Sequence, residues 1–157
     1  MGGDAPVSNV MNMGARVGGK DGWMTPPYIL ERINAMWVIW FDPCPVSPIE
    51  DGLTGSWCDH TYVNPPFSQY PAWATHGLRQ PGAKIWMCHH SHDTRWFQLL
   101  MTKMTAICLL TERVRFIDPA TNQPAGTAIG KCQSLIYHGE EVEKFREIFS
   151  KIGKCLI

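Results

Sequence analysis

The tetrapeptide Asn64-Pro65-Pro66-Phe67 combines residue types that can hold a planar ring bearing an amino group. It follows the apolar stretch 60–63, which predicts a strand with the tetrapeptide at its carboxyl end. Two consecutive prolines restrict the backbone and lack N–H donors, so the segment presents mainly acceptors. Asn64 adds a side-chain carbonyl, and Phe67 adds a flat ring. The alternative is a proline-rich turn with Phe67 in the hydrophobic core.

The composition indicates one ordinary globular domain. The chain has 157 residues, of which 45% are hydrophobic and 18% are charged. The net charge is zero, which argues against binding a polyanion through overall charge. Residues 79–115 are locally basic, and this predicts either a basic face or a scattered charged surface. The six cysteines form no Cys-x-x-Cys pair, and no signal peptide or membrane span is recognised, so we expect free thiols in a cytoplasm.

The pattern of apolar residues predicts strands that alternate with helices. The predicted strands are 36–41, 60–64, 84–88, 106–110, 114–117 and 133–137, and the predicted helices are 28–35, 69–78, 93–104 and 140–152. This alternation favours an α/β fold with a mostly parallel sheet and helices on both faces. The last two strands are expected to form an antiparallel edge. Glycine-rich residues 1–22 are expected to form a flexible arm, which leaves 23–157 as the single folded domain.

Several short blocks follow one another in an order that resembles a known family. The blocks are Trp23, Thr25-Pro26-Pro27, Asp42-Pro43-Cys44, Asp51-Gly52-Leu53 and Asn64-Pro65-Pro66-Phe67. Together they resemble the phage-type DNA adenine methyltransferases, a compact branch of the S-adenosylmethionine-dependent methyltransferases. The tetrapeptide matches the family's [Asp/Asn/Ser]-Pro-Pro-[Tyr/Phe/Trp] signature, and the likeness runs from about Trp23 to His138.

The resemblance implies a compact, Rossmann-like methyltransferase fold with a shortened sheet. It also implies that a methyl group passes from S-adenosylmethionine to the 6-amino group of a flipped adenine in double-stranded DNA. The implied role is phage DNA modification in the host cytoplasm, for protection against restriction or for gene regulation. The implied catalytic group is the signature itself, Asn64, Pro65, Pro66 and Phe67. The Asn64 side chain and the Pro65 carbonyl would hold the amino group, and Phe67 would stack on the base.

The residues that the resemblance assigns to the cofactor are Trp23, Thr25, Pro26, Asp42, Pro43, Cys44 and Asp51. Asp42 would pair with the methionyl ammonium group, or else it caps a turn before the proline. The alternative role of Thr25 is to cap a helix, and that of Trp23 is to cover the core. The alternative for Asp51 is that it forms an Asp-Gly turn. The chain departs from most methyltransferases because no glycine-rich loop follows Asp42. This shortening leaves the adenosine contacts unassigned, with a weakly binding enzyme or a homodimer that completes the site as alternatives.

The residues expected to contact DNA are Arg95, Arg113, Arg115 and Lys131, and the connection 118–131 is expected to read the target sequence. The alternative for the Arg113/Arg115 pair is salt bridging to the acidic C-terminal helix. No metal is expected, because His89-His90-Ser91-His92 has no partner pair with ligand spacing. This segment is expected to be a loop near the substrate or the start of a helix.

Two other functions stay open. The same fold and signature would serve a different amino acceptor, such as cytosine, RNA or a protein glutamine. A catalytically silent nucleic-acid-binding module would also keep the fold.

Overall fold

The computed structural model describes residues 23–45, 51–125 and 131–157, and all structural statements refer to these residues. The helices are α1 (Pro27–Met36), α2 (Tyr70–Leu78), α3 (Arg95–Met101) and α4 (Val142–Phe149), and a 3-10 turn spans Phe67–Gln69. The strands are β1 (His60–Val63), β2 (Ala83–His89), β3 (Ala106–Leu110), β4 (Ile117–Asp118), β5 (Gln123–Pro124), β6 (Gln133–His138) and β7 (Gly153–Leu156). The predicted flexible arm, 1–22, lies outside the described residues.

The main sheet is mixed, with the strand order β1-β2-β6-β3-β7. Only β1 and β2 pair in parallel, whereas β6 is antiparallel to both β2 and β3, and β7 is antiparallel to β3. The predicted α/β class is therefore confirmed, but the predicted mostly parallel sheet is wrong. The predicted antiparallel edge is also wrong, because β6 lies inside the sheet and β4 pairs with β5 in a separate hairpin. Strand direction depends on partners that are distant in sequence, which local patterns do not record.

Three strands nevertheless point the same way. Because β6 runs against both of its neighbours, β2 and β3 share one direction, and β1 joins them. A parallel bridge between Phe41 and Thr61 adds a short extension beside β1. The residues that follow Phe41, β1, β2 and β3, together with the start of β6, therefore meet at one end of the sheet. We call this end the carboxyl edge.

Helices cover both faces of the sheet, as predicted. Along each strand, successive side chains alternate between the faces. The first face, which carries Ile85 and Met87, is packed by α1 and α4. The second face, which carries Trp86 and Cys88, is packed by α2 and α3. The core is thus divided into two clusters by the sheet.

The predicted strand 36–41 is wrong. Helix α1 runs through Met36, and the residues directly after it form no strand. The side chains of Val38 and Ile39 are 79% and 61% exposed. Trp37 is buried by stacking on His60, with ring centroids 5.0 Å apart. Trp40 is buried as well, and its indole N–H donates to Asn34 Oδ1 at 2.8 Å. Of the four side chains 37–40, the two tryptophans are buried and the other two are exposed. The apolar run therefore reflects separately buried rings and not a strand.

The remaining elements differ from expectation mainly at their ends. The segment predicted as strand 114–117 is extended with alternating burial, but only Ile117–Asp118 pairs as a strand. The predicted C-terminal helix ends at Phe149, and the chain then returns as β7 along the edge of the sheet. This strand was missed because it is short and half-exposed, with no continuous apolar run. Thr25 directly precedes Pro26, the N-cap of α1, as expected of a residue at or near the cap, but the cap has no side-chain hydrogen bond.

The six cysteines all carry free thiols, as predicted. Burial raises the pKa of the Cys88 and Cys108 thiols well above their ordinary value. Such thiols stay protonated and behave as small apolar side chains. None of the described helices has the length and apolar character needed to cross a lipid bilayer.

Gly77 in α2 lets two tryptophans approach the helix backbone. A Cβ atom at this position would overlap the Trp86 ring and lie 2.7 Å from Trp57 Cη2. Glycine-to-alanine changes normally stabilise a helix by up to about 1 kcal/mol. We expect Gly77→Ala to lower the free energy of unfolding in urea by about 1–3 kcal/mol instead, through overpacking. Thr75→Ala on the exposed side of α2 is the matched control, and equal stability of the two variants would contradict this packing.

His138 predicts a pH dependence of stability. Burial lowers its folded pKa to about 4, although the hydrogen bond between Nε2 and Leu100 O, at 2.8 Å, opposes the shift. On the other side of the ring, Nδ1 accepts from Trp86 Nε1 at 3.4 Å. The unfolded chain therefore takes up a proton near pH 6.5, before the folded chain does. Stability from this group is complete above pH 6.5 and falls as the pH drops towards 4, by about 1.4 kcal/mol per unit.

We expect His138→Gln, which keeps a donor for Leu100 O, to flatten this decline. The measurement is the free energy of unfolding in urea at intervals between pH 7.5 and 4.5. A stability difference between wild type and variant that is constant over this range would exclude the buried neutral histidine.

Candidate functional site

Asn64 lies at the carboxyl edge, directly after β1, and is 6% exposed. Its Nδ2 donates a hydrogen bond to Thr25 Oγ1 at 3.2 Å, and the same hydroxyl is 2.8 Å from Tyr62 Oη. Segments 39 positions apart are thereby joined at a single point. Because Nδ2 is directed at Thr25, the amide oxygen of Asn64 lies on the opposite side of its side chain. The structure thus brings together two predicted site residues from separate motifs.

The two prolines and Phe67 continue the chain around the sheet edge. Pro65 is buried, and the carbonyl of Pro66 accepts from Gln69 N at 3.0 Å, which forms the 3-10 turn. Phe67 is half-buried and packs against both core clusters. Its ring centroid lies 4.4 Å from that of His89. The Phe67 ring therefore lies at the boundary of the core, and part of this ring reaches solvent. Its role in stacking on a base stays a prediction.

His89, whose ring contacts Phe67, and Gln133 are polar residues that were not among the predicted site residues, although the segment 89–92 was expected to be a loop near the substrate or the start of a helix. They are paired in register at the ends of β2 and β6, so their side chains share the first face. Gln133 is 3% exposed, and neither its Oε1 atom nor His89 Nε2 has a hydrogen-bond partner among the described residues. Burial, assisted by the positive charge of Lys131, lowers the pKa of His89 to about 4. His89 is therefore neutral at pH 7.

The only sequence signal for these residues was weak. Gln133 stands at the start of an otherwise apolar strand, and His89 ends another. A polar residue at a strand end usually faces solvent, so its burial could not be anticipated. Only the antiparallel pairing of β2 with β6 reveals that the two side chains are neighbours.

Asp42 and its neighbours lie beside the end of β1, on the side away from β2. Asp42 follows the Phe41 bridge and is half-buried, and its Oδ1 accepts from Cys44 N at 2.9 Å. This is the turn-capping geometry considered as the alternative to cofactor binding. Pro43 is buried, and Cys44 packs into the cluster on the second face.

The other predicted cofactor residues are spread around this edge. Asp51 is exposed, and its Oδ1 accepts from Leu53 N at 2.9 Å, so it caps its own turn. Trp23 is half-buried and packs against the first-face cluster. Pro26 is buried at the start of α1. Within this set, Thr25 is in direct contact with the predicted catalytic group, through its hydrogen bond with Asn64.

The predicted DNA-contacting residues are all exposed at the carboxyl edge. Arg95 begins α3, whereas Arg113, Arg115 and Lys131 lie in connections. Asp93 and Glu112 lie close to them in the chain, so the edge carries both signs of charge. The acidic helix α4 forms its two ion pairs internally, between Glu141 and Lys144 and between Glu143 and Arg146. Helix α4 begins at the opposite end of the sheet, after β6.

The predicted DNA-reading connection 118–131 is partly regular. It contains the β4–β5 hairpin, and Met24 bridges to Ile117 beside it. Residues 126–130 lie outside the described residues. Because Met24 directly precedes Thr25, this bridge places the hairpin near the candidate site.

Two surface cavities lie at the opposite end of the strands. The larger, of about 570 Å³, is lined by Lys84, Lys103 and His138 among others, and the smaller, of about 470 Å³, by Ile39, Trp40 and His60 among others. Lys84 Nζ donates to three carbonyls there, at 2.7 Å to Gln80, 3.0 Å to Gly82 and 3.2 Å to Pro81. Burial lowers the pKa of Lys84 to about 8. This lysine stabilises a loop, and the case for the carboxyl edge rests on its side chains rather than on cavity depth.

The comparisons with known proteins add no family. The chain matches no family model, and no curated protein matches it significantly. Within 23–45, 51–125 and 131–157, no three His, Cys, Asp or Glu side chains are grouped so that they could hold a metal ion. In the predicted histidine loop, His90 Nδ1 instead contacts Ser134 Oγ at 2.6 Å. The candidate site is therefore argued from its own residues.

The contact between Thr25 and Asn64 can be tested by stability. Thr25→Val keeps the shape of the side chain but removes the hydroxyl that Asn64 and Tyr62 both contact. We expect urea unfolding to show a loss of about 1–3 kcal/mol, because buried polar groups lose this partner. Thr25→Ser retains the hydroxyl and should cost less than half as much. A larger loss in Thr25→Ser than in Thr25→Val would show that the methyl packing, rather than the hydrogen bond, dominates.

Proposed function

We propose that this protein is an S-adenosylmethionine-dependent methyltransferase acting on the 6-amino group of adenine in DNA. The observation that carries the proposal is the hydrogen bond from Asn64 Nδ2 to Thr25 Oγ1 at the carboxyl edge. It joins the two motifs on which the family resemblance depends most. Ligands of α/β sheets bind beyond the carboxyl ends of strands, and β1, β2 and β3 all end at this edge.

The residues present fit the amino-acid part of such a cofactor. Asp42 supplies a carboxylate for an ammonium group, and Trp23 and Thr25 supply a half-buried ring and a hydroxyl nearby in the chain. When bound, the cofactor supplies an electrophilic methyl group. The described residues offer no equivalent set for the adenosine half. In this proposal a second copy of the chain or a locally rearranged loop completes that half.

Asn64 and Pro65 act on the acceptor amino group. An amide oxygen carries two lone pairs, and the orientation imposed by Thr25 turns the Asn64 oxygen away from that hydroxyl. Together with the Pro65 carbonyl it accepts both amino hydrogens and holds the nitrogen in line for transfer. The contribution is positioning and electrostatic stabilisation, and the amino proton leaves to solvent after the new bond forms.

The base must leave the DNA duplex to reach Asn64. An exocyclic amino group inside the stack cannot meet a bound cofactor, so the base is flipped into the protein. The exposed part of Phe67 then stacks on it. Arg95, Arg113, Arg115 and Lys131 contact phosphates around the flipped nucleotide, and the β4–β5 hairpin lies beside it. Because the edge also carries acidic residues, we expect short-range phosphate contacts rather than strong long-range attraction.

A silent nucleic-acid-binding module is the second candidate, and one observation favours it. Asp42 and Asp51 each use a carboxylate oxygen to cap their own turn, at 2.9 Å in both cases. If these bonds persist, the carboxylates are less available to a cofactor. DNA binding without cofactor binding would be the result expected of such a module.

The deciding experiment is methyl transfer from labelled S-adenosylmethionine to unmethylated genomic DNA, followed by digestion to nucleosides. Labelled N6-methyladenine establishes both the reaction and the acceptor. Cofactor binding by calorimetry without transfer to DNA indicates a different acceptor. Neither binding nor transfer, with DNA binding retained, establishes the silent module.

Asn64 has a distinct expected effect. Asn64→Ala should reduce the rate of methyl transfer by about 100-fold or more while cofactor affinity stays within a few-fold, because the side chain holds the acceptor amine. Asn64→Asp keeps an acceptor oxygen and should retain far more activity. Calorimetric titration and single-turnover rates on the same samples separate the two effects. Collapse of cofactor binding in the alanine variant would show that Asn64 belongs to the cofactor half.

A further inference from the structure

The strongest unexplained feature of the carboxyl edge is a pair of buried polar atoms. His89 Nε2 and Gln133 Oε1 lie on the same face, on adjacent strands, and neither has a partner among the described residues. A buried polar group without a partner costs about 1–3 kcal/mol. Two such groups side by side indicate a place where a ligand, rather than the protein, supplies the hydrogen bonds.

The neighbours of this pair suit a flat heterocycle. The Phe67 ring lies 4.4 Å from His89, and the Phe116 ring lies 6.0 Å from Phe67. Asn64 directly follows β1, and the register of β1 with β2 carries it opposite Met87, two positions before His89 and on the same face. Asn64 is therefore diagonal to His89, and His89 is directly opposite Gln133. We call these three residues the row. Asp42 lies on the other side of Asn64, so the row extends away from the proposed cofactor half.

With the His89 proton placed on Nε2, the row has one order of donors and acceptors. Asn64 offers its amide oxygen, an acceptor. His89 is neutral, and with the proton on Nε2 this nitrogen is a donor. Gln133 donates from Nε2 to Lys131 O at 3.5 Å, which leaves Oε1 as the acceptor at the end of the row. The row reads acceptor, donor, acceptor, and its complement is donor, acceptor, donor.

Adenine presents this complement along its Watson–Crick edge. The 6-amino group is a donor, N1 is an acceptor, and C2–H is a weak donor. Cytosine presents an amino group, a ring nitrogen and then a carbonyl, and that carbonyl would oppose the Gln133 oxygen. Enzymes that flip a base commonly read this edge.

We propose that His89 and Gln133 read the Watson–Crick edge of the flipped base, with His89 Nε2 on the ring nitrogen N1 and Gln133 Oε1 facing position 2. This assignment rests on the proposed function and goes beyond it by naming the residues that select adenine over cytosine. It also predicts how the protein responds to the modified base 2-aminoadenine. 2-Aminoadenine carries a full N–H donor at position 2 and should suit Gln133 better than adenine does.

The test compares two templates made by amplifying the same DNA, one with adenine and one with 2-aminoadenine throughout. No knowledge of the recognition sequence is needed. Methyl transfer is measured as kcat/KM on single-stranded forms of both templates, so that the extra base-pair hydrogen bond has no influence. We expect wild-type protein to prefer the 2-aminoadenine template about three- to tenfold, the size of one added hydrogen bond.

The decisive quantity is how this preference changes in variants. Gln133→Leu removes the acceptor with little change in volume and should abolish the preference while adenine methylation falls less. Gln98→Leu, the same change at an exposed position on α3, is the matched control and should keep the wild-type preference. His89→Phe keeps the ring beside Phe67 and should lower transfer to both templates about tenfold with cofactor affinity unchanged.

Each outcome has one meaning. Methylation of adenine by wild type with no preference, or a preference that Gln133→Leu retains, overturns the assignment but leaves the proposed function standing; the buried atoms then bind water only. No methylation of either template and no cofactor binding by wild type overturns both. If Gln133→Leu fails to fold by circular dichroism, Gln133→Met serves as the second variant, with the same expected loss of preference.

Discussion

The insertion of β6 between β2 and β3 is the constraint on which the rest of this structure depends. Because β6 runs against both neighbours, β2 and β3 must share a direction although they do not pair. Their ends, the end of β1 and the start of β6 then meet at one edge. This pairing, together with the parallel pairing of β1 with β2, brings the tetrapeptide 64–67, the histidine loop and the exposed arginines to a common place.

At that edge, burial gives the polar side chains their importance. Asn64 and Gln133 are 6% and 3% exposed, so their amides cannot rely on bulk water. Asn64 meets this requirement through Thr25, whose hydroxyl also contacts Tyr62 and so connects the helix start to the sheet. Gln133 Oε1 and His89 Nε2 do not meet it within the described residues. The contrast separates a polar side chain that is bonded within the described residues from two polar atoms that are not.

The opposite end of the sheet has a different character. Its larger cavity is lined by a lysine that is already held by three carbonyls and by a histidine that is bonded on both ring nitrogens. These polar groups are satisfied by the protein, and their lowered pKa values follow from burial. A cavity of this kind contributes to folding and to the pH dependence of stability. The buried atoms His89 Nε2 and Gln133 Oε1, which have no partner among the described residues, lie instead at the carboxyl edge.

The amino-acid sequence by itself determined the α/β class, the approximate positions of β1, β2, β3 and β6, and the position of Asn64 at a strand end. These depend on local periodicity and on proline chemistry, which act over a few residues. It failed at 36–41, where an apolar run is buried as separate tryptophans, and at β7, whose half-exposed residues carry no periodic signal. Only the tertiary structure decided the strand directions, the Thr25–Asn64 contact and the pairing of His89 with Gln133, because each joins residues far apart in the chain and depends on which strands become neighbours.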